Sequence, residues 1–437
     1  MKKIKSLSES DFLKLLFFLF SLAFLIASLC MPDRGELFAG MGRILSQPCK
    51  ISTNYFALGG YAATFFNMGL VALICTALYV ALGAAANNVS TLAFFLTLGF
   101  CSWGINPLNI LPTMLGVALY CAVKKQPLKT QVNTMLFSTG IAPLIMELMV
   151  RYPDPETVGF TPGGIVLALA AGFAIGFFLP AGLANAPKVH HGMDLYNAAV
   201  PIGMTAFFLQ GILFKTMGVP LAAVENTLNV ASRMTVNSFC IAVFSLCALG
   251  ALILGCRPGA YWKLLMDDTA PSYSAAYGNA ALLMNIGVYG LFILLYYNLV
   301  GASFNGVTFG LIFCMLACCN SGSNPRTVLP IMAAYVLGSL VFSRLSALAG
   351  GDFSSAVNAQ AILTGLCYAN GLSPLSRKYG WQYAFLGGLM HYLMVTTVPS
   401  LHGGFCLYNG GFTAAFVCLL LVPVLQHFCR EKEVHKV

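Results

Sequence analysis

The sequence predicts an all-α, polytopic membrane protein. Three observations carry that reading: a scarcity of charge, a series of apolar runs of spanning length, and self-similarity at half the chain length. Hydrophobic residues fill 58% of the 437 positions and charged residues only 8%, where a soluble domain carries roughly 25% charged residues. So few charges cannot cover a surface facing water, which makes lipid the natural solvent and the bilayer the first expected partner.

Fourteen apolar runs approach the roughly 20 residues that cross a hydrocarbon core as a helix. In the first half they lie at 12–30, 57–82, 89–104, 105–123, 131–150, 162–184 and 195–214. In the second half they lie at 237–256, 277–299, 304–320, 324–342, 355–373, 381–400 and 404–428. The runs at 89–104 and 304–320 are short for a full crossing. Lys2, Lys3 and Lys5 precede the first run, but no small-residue cleavage site follows it, so the expectation is a retained first helix rather than a leader.

The net charge of +9 does not point to nucleic acid. The basic residues sit in short clusters between apolar runs, as in membrane loops facing the cytoplasm and anionic lipid head groups. With the N-terminus inside and each run crossing in turn, 16 of the 23 Lys and Arg fall inside and 7 outside. Arg326, Arg377 and Lys378 are among the inside set. That asymmetry predicts a multi-pass protein of the cell membrane with both termini cytoplasmic. The fifteen cysteines are scattered through apolar runs without a CxxC pair. They read as small packing residues, with neither disulfides nor a metal site implied.

Shifted by 218 residues, positions 59–119 align with 277–337 without a gap, and 21 of the 61 pairs are identical. The matches include polar and backbone-shaping residues. Asn67 and Gly69 meet Asn285 and Gly287, Asn87 meets Asn305, and Gly104, Asn106 and Pro107 meet Gly322, Asn324 and Pro325. With gaps, Val132-Asn133 and Thr139-Gly140 match Val357-Asn358 and Thr364-Gly365, and Leu195-Tyr196-Asn197 matches Leu407-Tyr408-Asn409. The expected organisation is therefore a first repeat over 1–218 and a second over 219–437. Seven segments per repeat, an odd number, would place the copies in the bilayer with opposite orientations, the plan of many transporters. A re-entrant segment in each half would make the unit even and the copies parallel.

The duplicated Gly-x-Asn-Pro-x-x-x-Leu-Pro element carries the most chemistry. Proline removes a backbone donor and interrupts a helix, and the Asn before it is a natural cap. At membrane depth such a break persists only inside protein or beside water, and the helix N-terminus it exposes offers free N–H groups and partial positive charge. The candidate solute-binding residues are therefore Asn106, Pro107, Asn324 and Pro325, joined by the intrahelical pair Asn67 and Asn285. All four asparagines are expected to converge on one chamber. Two further candidates are Arg326, which follows the second Asn-Pro and has Leu108 as its counterpart, and His391, the best placed titrating group within an apolar run. Plainer roles exist for most of these: a tight surface loop with Pro at the helix start for the Asn-Pro elements, helix glue for Asn67 and Asn285, and an inside anchor for Arg326. Tyr196 and Tyr408 read as interfacial anchors, His190, His191 and Asp194 as a loop charge cluster, and Glu147 as the partner of Arg151 four residues on. No nucleotide-binding loop, GxSxG elbow, HExxH or EF-hand pattern occurs, and no cofactor is implied.

With its two GxNPxxxLPxM elements the chain resembles an uncharacterised family of multi-spanning proteins from Gram-positive bacteria, a likeness that implies no activity. At Asn106-Pro107-Leu108, Asn324-Pro325, Tyr196-Asn197-Ala198 and Tyr408-Asn409-Gly410-Gly411 it is also similar to urea transporters. It departs from them in the distance of about ninety residues between the Asn-Pro and Tyr-Asn elements and in lacking a doubled Asn before Pro. No channel residue is carried over. The function expected is a transporter or facilitator for a small polar solute. An intramembrane enzyme acting on a lipid-linked substrate and a scaffold subunit of a membrane complex remain as alternatives, and the sequence is compatible with a homo-oligomer.

Overall fold

The computed structural model describes residues 7–152, 157–216, 218 and 231–429. The basic residues Lys2, Lys3, Lys5, Arg430, Lys432 and Lys436, and with them both chain ends, lie outside the described residues, as does most of the junction between the two halves at 219–230. Among the described residues every regular element is a helix.

Helix α1 spans Glu9–Cys30, capped by Ser8, whose hydroxyl accepts the Asp11 N–H. Helix α2 spans Leu37–Ser46 and α3 Tyr55–Ala81. After Phe100 ends α4 (Asn88–Phe100), an irregular stretch leads to α5 (Leu111–Lys124). Helices α6 (Val132–Ser138) and α7 (Ala142–Arg151) are interrupted at Thr139–Ile141. The half closes with α8 (Pro162–Val189) and α9 (Ala199–Gln210).

The second half holds α10 (Arg233–Ile253), α11 (Pro258–Met266), α12 (Tyr273–Tyr277), α13 (Asn279–Leu299) and α14 (Gly306–Met315). It continues with α15 (Pro325–Leu348), α16 (Gln360–Ala369), α17 (Ser373–Lys378), α18 (Trp381–Met394) and α19 (Asn409–Phe428). Each of the fourteen apolar runs contains helix, but 105–110, 195–198, 355–359 and 404–408 are not helical. Nine helical runs among the described residues are long and apolar enough to cross a bilayer, and 88–100, 111–124 and 306–318 are shorter.

The same local arrangements recur 218 residues apart. Gly60 kinks α3 with φ 85° and ψ 178°, and Gly278 separates α12 from α13 with φ 84° and ψ 163°. Asn87 and Ser90 form a capping box on α4, as Asn305 and Thr308 do on α14. The Tyr55 N–H bonds the Ser102 carbonyl and the Tyr273 N–H the Asn320 carbonyl.

At the centre, α4 is buried from Ser90 to Phe100 and α14 along its whole length, and the two pack antiparallel. Ser102 Oγ donates to the Gly306 carbonyl at 2.6 Å, Cys314 Sγ reaches the Leu96 carbonyl at 3.6 Å, and Asn320 Nδ2 reaches Thr91 Oγ1 at 3.4 Å. Glycines permit this approach. A Cβ on Gly99 would come within 2.5 Å of the Gly310 carbonyl oxygen, and one on Gly310 within 2.2 Å of that of Gly99.

Candidate functional site

The irregular stretch after α4 is anchored from α3. Asn67 Nδ2 donates to the carbonyls of Cys101 at 2.6 Å and Ile105 at 2.8 Å. The second half repeats this: Asn285 Nδ2 donates to Cys319 at 2.8 Å and Ser323 at 3.1 Å. Both asparagines are fully buried. Their amides occupy carbonyls that a helix end leaves unpaired, which matters most where no water can replace them.

Asn106 and Asn324 cap the restart of the chain. Asn106 Oδ1 accepts the N–H groups of Leu108 and Asn109, each at 3.0 Å, and Asn109 Oδ1 accepts the Asn106 N–H. Asn324 Oδ1 accepts from Arg326 at 2.9 Å and Thr327 at 3.1 Å, with Pro325 at the first helical position of α15. In the first half Pro107 does not start a helix. The chain turns through 107–110, and α5 begins at Leu111 with Pro112 in its first turn.

The four asparagines do not converge. Antiparallel pairing of α4 and α14 sends their C-terminal breaks to opposite ends of the pair. The Ser102–Gly306 end and the Thr91–Asn320 end are about 17 Å apart, at 1.5 Å per residue over the helix between them. Asn67, Asn106 and Pro107 lie at the first end, and Asn285, Asn324 and Pro325 at the second. Both breaks are enclosed by protein rather than set in open water.

A chamber of about 250 Å³ opens at the first end, lined by Ser52, Asn54, Asn305, Gln360, Thr364 and Asn409 and by the apolar side chains of Ile51, Ala361, Val395 and Pro399. Four helices begin at its wall. Asn54 caps α3, Asn305 caps α14, Gln360 is the first residue of α16, and Asn409 is the first of α19. Asn54 Oδ1 accepts both the Phe56 N–H at 3.1 Å and the Gly306 N–H at 2.8 Å, joining two of these starts. Asn305 Nδ2 donates to Gln360 Oε1 at 2.6 Å. His402 Nε2 meets Asn409 Oδ1 at 2.9 Å. Sequence reasoning named none of these as solute-binding. The signal was present in the duplicated Asn87 and Asn305 caps and in Tyr408-Asn409, but Asn54 and Gln360 have no duplicate to mark them.

His391 stands behind this wall. It is fully buried on α18, its Nε2 donating to the Gly410 carbonyl at 2.7 Å and its Nδ1 accepting the Tyr335 hydroxyl at 2.6 Å. With both ring nitrogens engaged, it positions the start of α19 and does not face the chamber as a titrating group. Arg326 pairs with Asp268 at 3.1 and 3.3 Å and lines a separate, mainly apolar groove with Trp381 and Phe385. Arg377, expected in a loop, is buried and donates to the carbonyls of Ala270 and Ser321. Glu147 does approach Arg151, at 4.0 Å.

Tyr196 and Tyr408 are buried, not interfacial. Each crosses to the other half. Leu195 donates its N–H to the Gly371 carbonyl at 3.1 Å and Leu407 to Gly140 at 2.8 Å, while the adjoining tyrosine rings sit against those same glycines. This sets the register of the interrupted helices. Gly140 corresponds to Gly371, 231 residues on, not to Gly365 as the spacing suggested. His190 and Asp194 are likewise buried, at 1% and 2% exposure, and only His191 of that cluster faces out. The loop reading failed because a loop that enters the other half's break is not a surface loop.

The helices thus define a multi-helix membrane-type protein with broken helices at its core and a chamber of mixed polar and apolar lining at a meeting of helix starts. The chain belongs to the family of unknown function DUF1576, whose model matches residues 33–215 and 263–427. No curated protein and no solved structure matches it.

Proposed function

We propose that the protein is a transporter or facilitator for a small, neutral polar solute, built from two inverted halves in the cell membrane with both termini cytoplasmic. The observation that carries this is the chamber walled by four helix starts together with the side chains of Asn54, Asn305, Gln360, Thr364 and Asn409. Helix N-termini turn N–H groups and partial positive charge toward their ends, and amide side chains add donors and acceptors of both kinds. Such a wall suits a carbonyl or hydroxyl compound. Among the described residues no acidic or basic one lines it, which disfavours an ion as the guest.

The antiparallel pairing of α4 with α14, two segments related by the 218-residue shift, supports a two-fold relation whose axis lies across those helices. If they stand along the bilayer normal, that axis lies in the membrane plane, as in many transporters. Asn106 and Asn324, with Asn67 and Asn285, then shape the breaks on which the chamber rests, and Pro107 and Pro325 end the pairing of backbone groups there.

The test is stopped-flow swelling of proteoliposomes in urea, formamide, acetamide and glycerol. Wild-type vesicles should equilibrate at least one of these faster than empty vesicles, and Thr364→Phe, which fills the chamber, should remove most of the difference. Vesicles indistinguishable from empty ones for every solute would overturn the reading.

A further inference from the structure

Asp194 sits in the 190–198 loop that the first half sends into the second half's breaks. Its carboxyl is 2% exposed. Oδ1 accepts the Tyr196 N–H at 3.0 Å, and Oδ2, also buried, has no partner among the described residues. Among the described residues, the titratable groups around the loop are His190 and His191 on the loop itself, Cys318 after α14 and Cys418 on α19, with Tyr289 of α13 and Cys367 of α16 beside the Tyr196 ring, and no Lys or Arg is among them. A carboxylate buried without a countercharge is costly, whereas the protonated acid is not.

The corresponding position in the second half is Cys406. The Asp194 N–H donates to His190 Nδ1 at 3.4 Å, and the Cys406 N–H to His402 Nδ1 at 3.3 Å. The backbone turn is kept and the acid is not. Burial pushes the Cys406 thiol up to about 12, out of reach of cellular pH. Burial pushes the Asp194 carboxyl up to about 7, with the Tyr196 N–H opposing.

Asp194 is also connected to the chamber. Tyr196 donates to Asn370 Oδ1 at 2.7 Å. Its ring lies 5.0 Å from that of Tyr368, which lies 6.2 Å from that of Tyr408, the residue preceding Asn409 in the chamber wall. Among the described residues no group of three or more His, Cys, Asp or Glu is placed to hold a metal ion, so the single open oxygen is better matched to a proton.

We propose that Asp194 is the proton-carrying group of this protein, its Oδ2 taking one proton from water to become the neutral acid and returning it to water, so that solute movement responds to a pH gradient. The coupling rests on the transport reading; the proton site does not.

The experiment has two arms. In detergent, infrared difference spectra of the full chain should show a protonated-carboxyl band that is lost with a midpoint near pH 7 and is missing in Asp194→Asn. Asp194→Cys, which installs the residue type of the other half, gives the same answer should the amide fail to fold. A band that persists in both variants overturns the site, as does a wild type without one. In proteoliposomes, urea or glycerol uptake is compared within each protein with and without an inward proton gradient. The expected ratio is severalfold for wild type and one for the variant. Equal ratios would overturn the coupling and leave the facilitator reading intact. No uptake by wild type would overturn the facilitator reading, with the infrared arm still deciding the proton site.

Discussion

Tyr408 lies over Gly140 so closely that a Cβ at that glycine would fall 2.0 Å from the tyrosine ring. The Tyr196 ring stands in the same relation to Gly371, at 2.4 Å. These contacts close the two interrupted helices, and they are the first place where substitution should be felt.

Gly140→Ala and Gly371→Ala should each destabilise the protein by about 3 kcal/mol, the upper range for forcing a methyl into a packed interior. The measurement is the thermal midpoint of purified protein in detergent. Gly163→Ala, where a Cβ meets nothing within 4 Å, is the control and should be neutral.

Asn67→Leu and Asn285→Leu should each cost about 2 kcal/mol, since two buried carbonyls lose their donor in either case. Comparable losses are expected because each amide donates to two carbonyls of its break, with Asn285 also accepting the Tyr261 hydroxyl at 3.3 Å. A variant as stable as wild type would show that water or a neighbour replaces the amide.

Stability should depend on pH through Asp194. Its folded value of about 7 stands above the ordinary 3.8, so the folded state binds the proton more tightly. The stabilising contribution of the protonated acid is full below pH 4, declines as pH rises toward 7, and is gone above that. The span corresponds to roughly 4 kcal/mol at about 1.36 kcal/mol per unit. Asp194→Asn should flatten this part of the profile and melt above wild type at pH 8.

His391→Gln should retain more solute flux than His391→Leu, because glutamine can still donate to the Gly410 carbonyl and hold the start of α19 in the chamber wall. Swelling rates of the two variants in the same solute check this. Equal rates would remove His391 from that positioning role.

Helices were legible in the sequence because hydropathy reports them directly: each apolar run contains one, although nine helical runs among the described residues, not fourteen, have spanning length. The breaks were legible at Asn106-Pro107 and Asn324-Pro325 because proline and its cap leave a local mark. Where the breaks lead was not. Convergence of the four asparagines depends on how α4 meets α14, and the glycines that set that antiparallel contact, Gly99 and Gly310, carry no directional signal. Tyr196, His190, Asp194 and Arg377 were misplaced for a related reason. A polar residue beside an apolar run reads as interfacial unless the partner that buries it, here in the other half or far along the chain, is known.

The crossed tyrosines have a consequence for how the chain can be made. Residues 1–218 expressed alone would leave the Gly140 interruption without its Tyr408 cover, and residues 219–437 alone would leave Gly371 without Tyr196. Neither piece should mature by itself, while the two supplied together from separate messages should find each other and yield a complete molecule.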